Sequence, residues 1–319
     1  MMAYLARGVA GLRSRSVCGT VGRTIEAGGC GAAVSGVETE TVESSVPAHS
    51  SWRQHAGDVR PTVLILGGFL TAPPMYRPFA KRLLERGAAG VVVAHVWTPD
   101  WLVAAGRGCA AVTARSGRAL LTASRLSANV SDGAPVLVVG HSAGGLIARL
   151  LTAAEPFPGR RFGAALRIGA IVTLGTPHSL AAGEGLGRRI NEIVAGVAEA
   201  TVPGAFYAPE VGYVSVASRA IRADPSGTGR QRLAHLLYRS VSGHAAGVET
   251  YGDGLVPVEA TILAGADHVV LDGSVHGQGG GGPWYGTDPA MDVWWPAALR
   301  AWREALICRA TQKPSDTPV

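Results

Sequence analysis

Residues 135–151 read PVLVVGHSAGGLIARLL, and this stretch decides the fold. It begins with an aliphatic run, 135–139, of the kind found in strands that are covered on both faces. It then passes through a Gly-x-Ser-x-Gly turn at 140–144 into an apolar helix pattern. A sharp turn between a strand and a helix holds the Ser142 hydroxyl above the end of the sheet, and glycine on either side avoids collisions with neighbouring backbone.

The bare motif has two interpretations. In a chain with 44 glycines, Gly-x-Ser-x-Gly also fits an ordinary glycine-rich turn. The apolar strand that ends shortly before Ser142 and the helix pattern that starts directly after it favour a nucleophilic serine. The N-terminus of that helix would also favour negative charge that develops beside the hydroxyl during a reaction.

The alternation of strand and helix extends in both directions from this stretch. Short apolar runs predict strands at 62–66, 91–94, 135–139, 168–174, 211–216 and 267–271. Segments with helical spacing separate them at 75–85, 107–126, 144–154, 257–263 and 289–306. This pattern predicts an α/β fold with a mostly parallel central sheet and helices on both faces. Ligands of such sheets bind at the carboxyl ends of the strands, so the loops that follow strands carry the candidate residues.

The composition fits one enzyme-sized domain with appended segments. Of 319 residues, 47% are hydrophobic and 16% are charged, which supplies a large core. The four cysteines form no CxxC pair, so neither a disulfide-stapled scaffold nor a structural zinc site is expected. The sequence contains no HExxH motif, no nucleotide fingerprint and no apolar run of about 18 to 20 residues. We therefore expect no metal, no cofactor and no transmembrane segment.

The net charge of +6 does not indicate a nucleic-acid partner. Four arginines, at positions 7, 13, 15 and 23, precede the first acidic residue, Glu26. The rest of the chain is nearly balanced and shows no basic stripe interleaved with aromatic residues. We therefore expect the chain to bind no nucleic acid.

Residues 1–57 lack hydrophobic periodicity and are predicted to lie outside the folded domain. Their opening, residues 1–24, contains arginine and serine and no acidic residue, and it lacks the run of about 7 to 15 apolar residues of a secretory signal. This composition is typical of a mitochondrial or plastid transit peptide, with a disordered tail of a cytoplasmic protein as the alternative. The folded domain is then expected at 58–308, followed by a flexible tail at 309–319.

A nucleophilic serine needs a general base and a carboxylate that orients the base. In a sheet of this kind the acid and then the histidine follow the serine along the chain. Two histidines, His268 and His276, lie late enough. The side chain of His268, inside the strand 267–271, points to a face of the sheet. His276 lies in the loop that follows and can reach over the end of the sheet. His276 is therefore the candidate base.

The candidate acid is Asp253, in the glycine-flanked turn YGDGLVP at 251–257. An ordinary turn or N-cap aspartate is the alternative for this residue. Other aspartates belong to the last strand and its edge, or to a loop rich in proline, serine and glycine. These are Asp267, Asp272 and Asp224. The chain order Ser142, Asp253, His276 favours Asp253.

Two turns carry backbone N–H groups that would hold an oxyanion. One N–H belongs to Ala143, the residue after the candidate nucleophile. The other belongs to the glycine turn Gly67-Gly68-Phe69, which follows the first predicted strand. That turn has a second interpretation, as a plain connection between a strand and a helix, and the two are compatible.

With these turns in place, the chain resembles the α/β-hydrolase superfamily. The turn GGF at 67–69, GHSAGG at 140–145 and LGTPH at 174–178 are similar to motifs of its lipase-like branch, which includes triacylglycerol lipases and PGAP1-like GPI-inositol deacylases. Further segments are similar to those of largely uncharacterised hydrolases of plant plastids and cyanobacteria. These are DWL at 100–102, GDGLVP at 252–257, LAGA at 263–266, LDGSVH at 271–276 and WYG at 284–286.

The resemblance spans about residues 61–305 and implies a set of site residues. They are Ser142 as nucleophile, His276 as base, Asp253 as orienting acid, and the N–H groups of Ala143 and Phe69 as oxyanion donors. Many lipase relatives have P-G-F or H-G where this chain has Gly67-Gly68-Phe69, a departure that affects the first donor. The resemblance also implies that His178 shapes the floor of the pocket, and it favours a plastid address for residues 1–57.

Residues 179–250 are predicted to form a cap-like insertion with helix patterns at 187–201 and 230–241. One hypothesis is an apolar lid that admits acyl chains. It rests on the helical spacing of Ile190, Ile193, Val194 and Val197. The alternative is that this stripe packs on the sheet.

The leading hypothesis is a serine hydrolase that cleaves carboxylic esters, lipid-like ones by resemblance, through an acyl-enzyme. An acyltransferase that uses the same residues and a catalytically silent binding scaffold are the other two hypotheses. The expected partner is a small-molecule or lipid ester, and peripheral contact with a membrane is compatible with it. A plastid is the favoured location, and a mitochondrial or cytoplasmic one is the alternative.

Overall fold

The computed structural model describes residues 51–153, 164–179, 186–242, 249–279 and 281–312, without the side chains of 105–107, 186–193 and 242. Its strands are β1 (Thr62–Leu66), β2 (Gly90–Val93), β3 (Val136–His141), β4 (Ile168–Leu174), β5 (Gly212–Ser218), β6 (Ile221–Arg222), β7 (Tyr251–Gly252) and β8 (Asp267–Leu271). Its helices are α1 (Arg77–Glu85), α2 (Thr98–Arg107), α3 (Ala110–Val130), α4 (Ala143–Leu151), α5 (Leu186–Thr201), α6 (Gly229–Ser242) and α7 (Asp288–Thr311). Among the described residues, no helix is both long and apolar enough to cross a lipid bilayer.

A six-stranded sheet lies at the centre, in the order β2-β1-β3-β4-β5-β8, and every neighbouring pair is parallel. Strands β6 and β7 form a separate antiparallel pair. The predicted α/β class and mostly parallel sheet are confirmed. Strand β8 departs from the prediction of strands covered on both faces, because it lies at the edge and only Leu271 is buried.

The two faces of the sheet are covered by different helices. Side chains alternate along β1, so that Val63 and Ile65 point to one face and Leu64 and Leu66 to the other. The first face packs against α1, α7 and the 3-10 turn Ser51–Gln54. The second face packs against α2, α3, α4 and α5. The sheet is therefore enclosed on both sides, which explains why its inner strands read as continuous apolar runs.

Two predicted helices differ from the observed ones. The helix predicted at 107–126 begins at Ala110 instead, as helix α3. Residue 107 belongs to the preceding helix α2, which ends there because Gly108 has a φ of 82°. The pattern at 257–263 contains only a 3-10 turn, Val258–Thr261. The carbonyl groups of Ala260 and Thr261 accept bonds from the His178 N–H and the Ser215 hydroxyl, so they are not used in a continuing helix.

Both predicted ends of the domain need correction. Trp52 is buried against the first face of the sheet, so the folded part begins ahead of residue 58. Helix α7 continues past 308 to Thr311, and the guanidinium of Arg309 donates to the carbonyl groups of Ala165 and Ile168. Arg309 therefore belongs to the folded domain rather than to a tail.

The predicted insertion at 179–250 is not one continuous cap. Strand β5 lies between β4 and β8, because its apolar residues are buried on both faces of the sheet. In α5, Val194 and Ala198 are buried in the core of the second face, as the packing alternative requires. The side chains of Ile190 and Ile193, on which the lid hypothesis also rests, lie outside the described residues.

Candidate active site

Ser142 is held in a strained backbone conformation between β3 and α4. Its φ of 52° and ψ of −127° are rare for a residue with a side chain and cost about 1 to 3 kcal/mol. The Ser142 N–H donates to the carbonyl of Leu174 at 2.9 Å. The turn is tight because a side-chain carbon at Gly144 would collide with the carbonyl oxygens of Leu66 and Gly67. These contacts fix the serine at the carboxyl end of the sheet.

Three side chains that are far apart in the sequence converge at this end. The His276 Nε2 atom lies 3.0 Å from the Ser142 Oγ atom. The His276 Nδ1 atom lies 2.7 Å from Oδ2 of Asp253. A carboxylate only accepts, so Nδ1 carries the hydrogen and Nε2 of the neutral ring is free to accept the serine proton. The sequence-predicted residues Ser142, Asp253 and His276 are thus brought together in one hydrogen-bonded chain.

Asp253 is a buried carboxylate with every oxygen hydrogen-bonded. Its side chain lies in the turn after β7, and the residue is only 1% exposed. Oδ1 accepts the N–H groups of Leu255 and Val256 at 3.0 and 2.8 Å. Oδ2 accepts a hydrogen bond from the Tyr285 hydroxyl at 2.9 Å and another from the ring Nδ1–H of His276. Such a set of donors stabilises the ionised form.

The environment sets the charge of this carboxyl. Burial alone would raise the pKa of Asp253, but the charge of His276 and the hydrogen bonds from His276, Val256 and Leu255 outweigh it and hold the pKa below its ordinary value. The turn that carries Asp253 and the loop that carries His276 are also joined directly, because the backbone N–H of His276 donates to the backbone carbonyl of Asp253 at 2.9 Å. The carboxylate and the imidazole are therefore fixed relative to each other by backbone and side chain alike.

The other candidates from the sequence lie in different surroundings. His268 contacts the backbone of Leu263 through its Nε2 atom. The remaining aspartates pair with surface arginines. These pairs are Asp224 with Arg222, Asp267 with Arg300 and Asp272 with Arg219. None of these contacts involves Ser142 or His276.

The two predicted oxyanion donors flank Ser142. Within the described residues, the N–H groups of Phe69 and Ala143 have no hydrogen-bond partner. The turn of Phe69 approaches closely, since a side-chain carbon on Gly68 would lie 2.9 Å from the Cβ atom of Ser142. Ala143 is the first residue of α4, where N–H groups have no intrahelical acceptor. Both N–H groups therefore remain the predicted oxyanion donors.

His178 is buried away from this chain of bonds. Its Nδ1 atom accepts from Arg149 at 3.3 Å, and its Nε2 atom lies 3.0 Å from the Thr173 hydroxyl. Burial, with the charges of Arg149 and His268 as further causes, lowers the pKa of His178 well below its ordinary value. The ring therefore stays neutral and acts as a packed structural group.

A cavity of about 450 Å³ lies between α5 and the segment 262–264. His178, Ala195 and Gly196 are among its lining residues. Its described lining contains none of Ser142, Asp253 and His276, so it is distinct from the chain of bonds above. No group of three or more His, Cys, Asp or Glu side chains suited to a metal ion occurs among the described residues.

Sequence reasoning missed three side chains that contact the site. Tyr285 binds Asp253, and it lies in the WYG motif, which the resemblance marked without giving a role. His141 occupies the variable position before Ser142 and binds the carbonyl of His276 at 2.8 Å. Tyr76 binds His141 at 2.9 Å, and no sequence signal points to it.

The parallel sheet, the strained turn between β3 and α4 and the order Ser142, Asp253, His276 define an α/β-hydrolase fold. No protein-family model matches the sequence, and no curated protein matches it either.

Several solved structures have a similar backbone fold, with low TM-scores and low sequence identity. Mature lipase BlEst2 of Bacillus licheniformis matches with a TM-score of 0.47 and 13% identity, over 77% of this chain and 93% of that one. Esterase 2 of Thermogutta terrifontis, phosphoramylated by tabun, gives 0.42 and 15%, over 82% and 87%. Est1E of Butyrivibrio proteoclasticus with bound ferulic acid gives 0.38 and 15%, over 75% and 87%. Similarity at this level assigns no activity to this chain.

Proposed function

We propose that this protein is a serine hydrolase that cleaves carboxylic esters through an acyl-enzyme. One observation carries the proposal: Ser142 Oγ, the His276 ring and the Asp253 carboxylate form a continuous hydrogen-bonded chain, with distances of 3.0 and 2.7 Å. Nucleophile, base and orienting acid in this geometry are the arrangement that activates a serine hydroxyl.

In the first step, Ser142 Oγ attacks the ester carbonyl carbon while its proton passes to Nε2 of His276. The carbonyl π electrons move to oxygen, and the oxyanion is bound by the N–H groups of Ala143 and Phe69. One such donor typically contributes about 2.7 to 4 kcal/mol of transition-state stabilisation. The ionised Asp253 stabilises the imidazolium and keeps the hydrogen of the neutral ring on Nδ1.

Collapse of the tetrahedral intermediate breaks the bond to the alcohol oxygen. His276 gives its Nε2 proton to that oxygen, so that an alcohol leaves and the acyl group stays on Ser142. In the second half, His276 takes a proton from water as the water attacks the acyl carbon. The carboxylic acid then leaves, and Ser142 regains its proton.

Hydrolysis of short p-nitrophenyl esters tests the proposal. We expect Ser142→Ala and His276→Gln to lose at least about 1,000-fold in kcat/KM, while the matched control His268→Gln keeps wild-type activity. Equal rates for wild type and Ser142→Ala would overturn it. Failure of Ser142 to react with a fluorophosphonate would point instead to a silent binding scaffold.

The acceptor distinguishes hydrolysis from acyl transfer. With a lipid ester and an excess of a primary alcohol or thiol, we expect the free carboxylic acid as the main product. Preferential formation of a new ester or thioester would assign the same residues to an acyltransferase.

We also propose a lipid-like ester as substrate and a plastid address, with mitochondrial or cytoplasmic location as alternatives. The similarity of the motifs at 140–145 and 174–178 to lipase-like sequences supports the substrate class. The opening of the chain, residues 1–24, contains four arginines and no acidic residue, which supports the address. A series of esters with increasing acyl length and localisation of a fluorescent fusion of the full chain test these two proposals separately.

A further inference from the structure

The turn that carries Phe69 and the loop that carries His276 are joined by a relay of three hydrogen bonds. The Gly68 N–H donates to the Tyr76 hydroxyl oxygen at 2.9 Å. The Tyr76 oxygen lies 2.9 Å from the Nδ1 atom of His141. The Nε2 atom of His141 lies 2.8 Å from the carbonyl oxygen of His276. The relay therefore connects the predicted oxyanion turn to the backbone of the candidate base.

The chemistry of the groups fixes the direction of every bond. The His276 carbonyl can only accept, so Nε2 of His141 carries the hydrogen. The Nδ1 atom of the neutral ring must then accept, and Tyr76 donates to it. The lone pair of the Tyr76 oxygen accepts the Gly68 N–H. Tyr76 and His141 thus each accept one hydrogen bond of the relay and donate one. The Tyr76 oxygen also lies 3.3 Å from Oγ1 of Thr71, a longer second contact of the same hydroxyl.

The relay and a neighbouring bond hold the peptide of Phe69 on both sides. The Thr71 hydroxyl donates to the Gly68 carbonyl at 2.7 Å. That carbonyl belongs to the same planar peptide unit as the Phe69 N–H, so its direction determines where the N–H points. The Gly68 N–H, on the preceding peptide, is held by Tyr76. The orientation of the proposed oxyanion donor therefore depends on Tyr76 and Thr71.

The relay lies in a buried, packed environment. Tyr76 is 2% exposed and His141 is 4% exposed. The ring of Trp284 packs edge-on against both, with centroid separations of 6.2 and 5.6 Å. Burial, followed by the charge of His276, lowers the pKa of His141 to about 3, so the ring stays neutral. A neutral, immobile imidazole is suited to transmit position rather than charge.

We infer that Tyr76 and His141 are positioning residues that hold the Phe69 N–H in register with His276. The inference rests on the proposed function, because register matters only if the serine, the base and the oxyanion donor act in one reaction. Tyr76 and His141 move no proton of the substrate. They keep two separate loops at the spacing that the tetrahedral intermediate requires.

The test uses three variants of the full chain. Tyr76→Phe removes the central hydroxyl. His141→Leu removes both ring nitrogens, whereas His141→Gln retains one donor and one acceptor. Tyr251→Phe, which removes an exposed hydroxyl bound to Glu249, is the matched control.

The kinetic readout is kcat and KM for a p-nitrophenyl ester, with the affinity for an alkyl boronic acid that forms a tetrahedral adduct with serine. We expect Tyr76→Phe and His141→Leu to lower kcat about 10- to 100-fold and to weaken binding of the boronic acid by a similar factor. KM should stay within about 2-fold of the wild-type value. His141→Gln should restore most of the loss. The double variant Tyr76→Phe/His141→Leu should have a kcat no lower than that of the less active single variant, because both substitutions break the same relay.

Unchanged kcat, a change confined to KM, or a loss fully accounted for by unfolded protein in a thermal melt would overturn the inference. An NMR measurement is independent of activity. The ring nitrogen shifts of His141 should show the Nε2–H form, and the Gly68 amide should lose protection from hydrogen exchange in Tyr76→Phe. If the wild type neither cleaves esters nor binds the boronic acid, the proposed function fails. If activity is present but the Gly68 amide is indifferent to Tyr76→Phe, only the relay fails.

Discussion

Tyr285 donates its hydroxyl hydrogen to Oδ2 of Asp253 over 2.9 Å, and the same oxygen accepts the Nδ1–H of His276. The two donors therefore share one oxygen of a fully buried carboxylate. Burial, followed by the charge of Asp253, raises the pKa of Tyr285 well above its ordinary value, so the phenol stays protonated and can only donate to the carboxylate. The phenol fixes the orientation of the acid that orients the base.

Tyr285→Phe should lower kcat/KM about 10- to 100-fold, because a hydrogen bond to a buried charge contributes about 1.5 to 3 kcal/mol. Steady-state ester hydrolysis measures the effect. Tyr251→Phe is the control, since its hydroxyl is exposed and contacts Glu249. Wild-type activity in Tyr285→Phe would show that Asp253 is held by its other partners alone.

Gly144→Ala should abolish activity and destabilise the fold, because the added carbon would collide with the carbonyl oxygens of Leu66 and Gly67. Backbone atoms cannot move aside as a flexible side chain does. Gly196→Ala in α5 is the control, since a carbon there meets nothing within 4 Å. We expect the control to be neutral or stabilising by up to about 1 kcal/mol. Urea unfolding of both variants decides the matter, and equal stabilities would contradict the tight turn.

The buried His141 predicts a pH dependence of stability. Its pKa in the folded state is about 3, whereas an unfolded histidine titrates near 6.5, so between these values the unfolded state binds the extra proton. Stability should therefore fall as the pH drops from about 6.5 towards 3, by up to about 1.4 kcal/mol per pH unit from this residue. Urea unfolding at pH 7 and pH 4.5 should show a shallower dependence for His141→Gln than for wild type. The exposed histidine variant His95→Gln should keep the wild-type slope, and an unchanged slope in His141→Gln would contradict the prediction.

Helix α5 packs against the second face of the sheet through residues 194–198, so we predict that it stabilises the fold rather than acting as a lid. Arg149, which is 1% exposed, donates to Glu199 and to the carbonyl of Val202 at 2.8 Å. Val194→Ala should reduce the free energy of unfolding by about 2 kcal/mol and change activity towards short and long esters equally. Leu236→Ala, at a position that is 63% exposed, is the control and should have little effect. A selective change for long esters at unchanged stability would support the lid hypothesis instead.

The sequence was informative where a pattern reports burial. Continuous apolar runs located the sheet strands to within about two residues, because strands enclosed by two helical layers contain few polar side chains. Chain order together with a position in a loop was enough to select Asp253 and His276. His276 lies in the loop after the edge strand β8, and Asp253 lies in the turn after the separate short strand β7. The parallel topology places Ser142 and His276 at the same end of the sheet, and hydrogen bonds to His276 join Asp253 to them.

The sequence was uninformative where a contact depends on exact placement. Tyr76 reaches His141 across 65 positions, and no spacing rule relates them. The segment 257–263 has helical composition, but tertiary bonds to its carbonyl groups take precedence over local preference. The prediction of one cap-like insertion at 179–250 is wrong in part, because an inner strand of the sheet, β5, lies within it.

The most direct test of the central claim is mass spectrometry of the full chain after reaction with an alkyl fluorophosphonate, with the adduct mapped by peptide sequencing. We expect one adduct on Ser142 in the wild type, none on Ser142→Ala, and a labelling rate reduced at least about 100-fold in His276→Gln. Labelling of the wild type at another residue, or equally fast labelling without His276, would contradict a serine that is activated by this histidine.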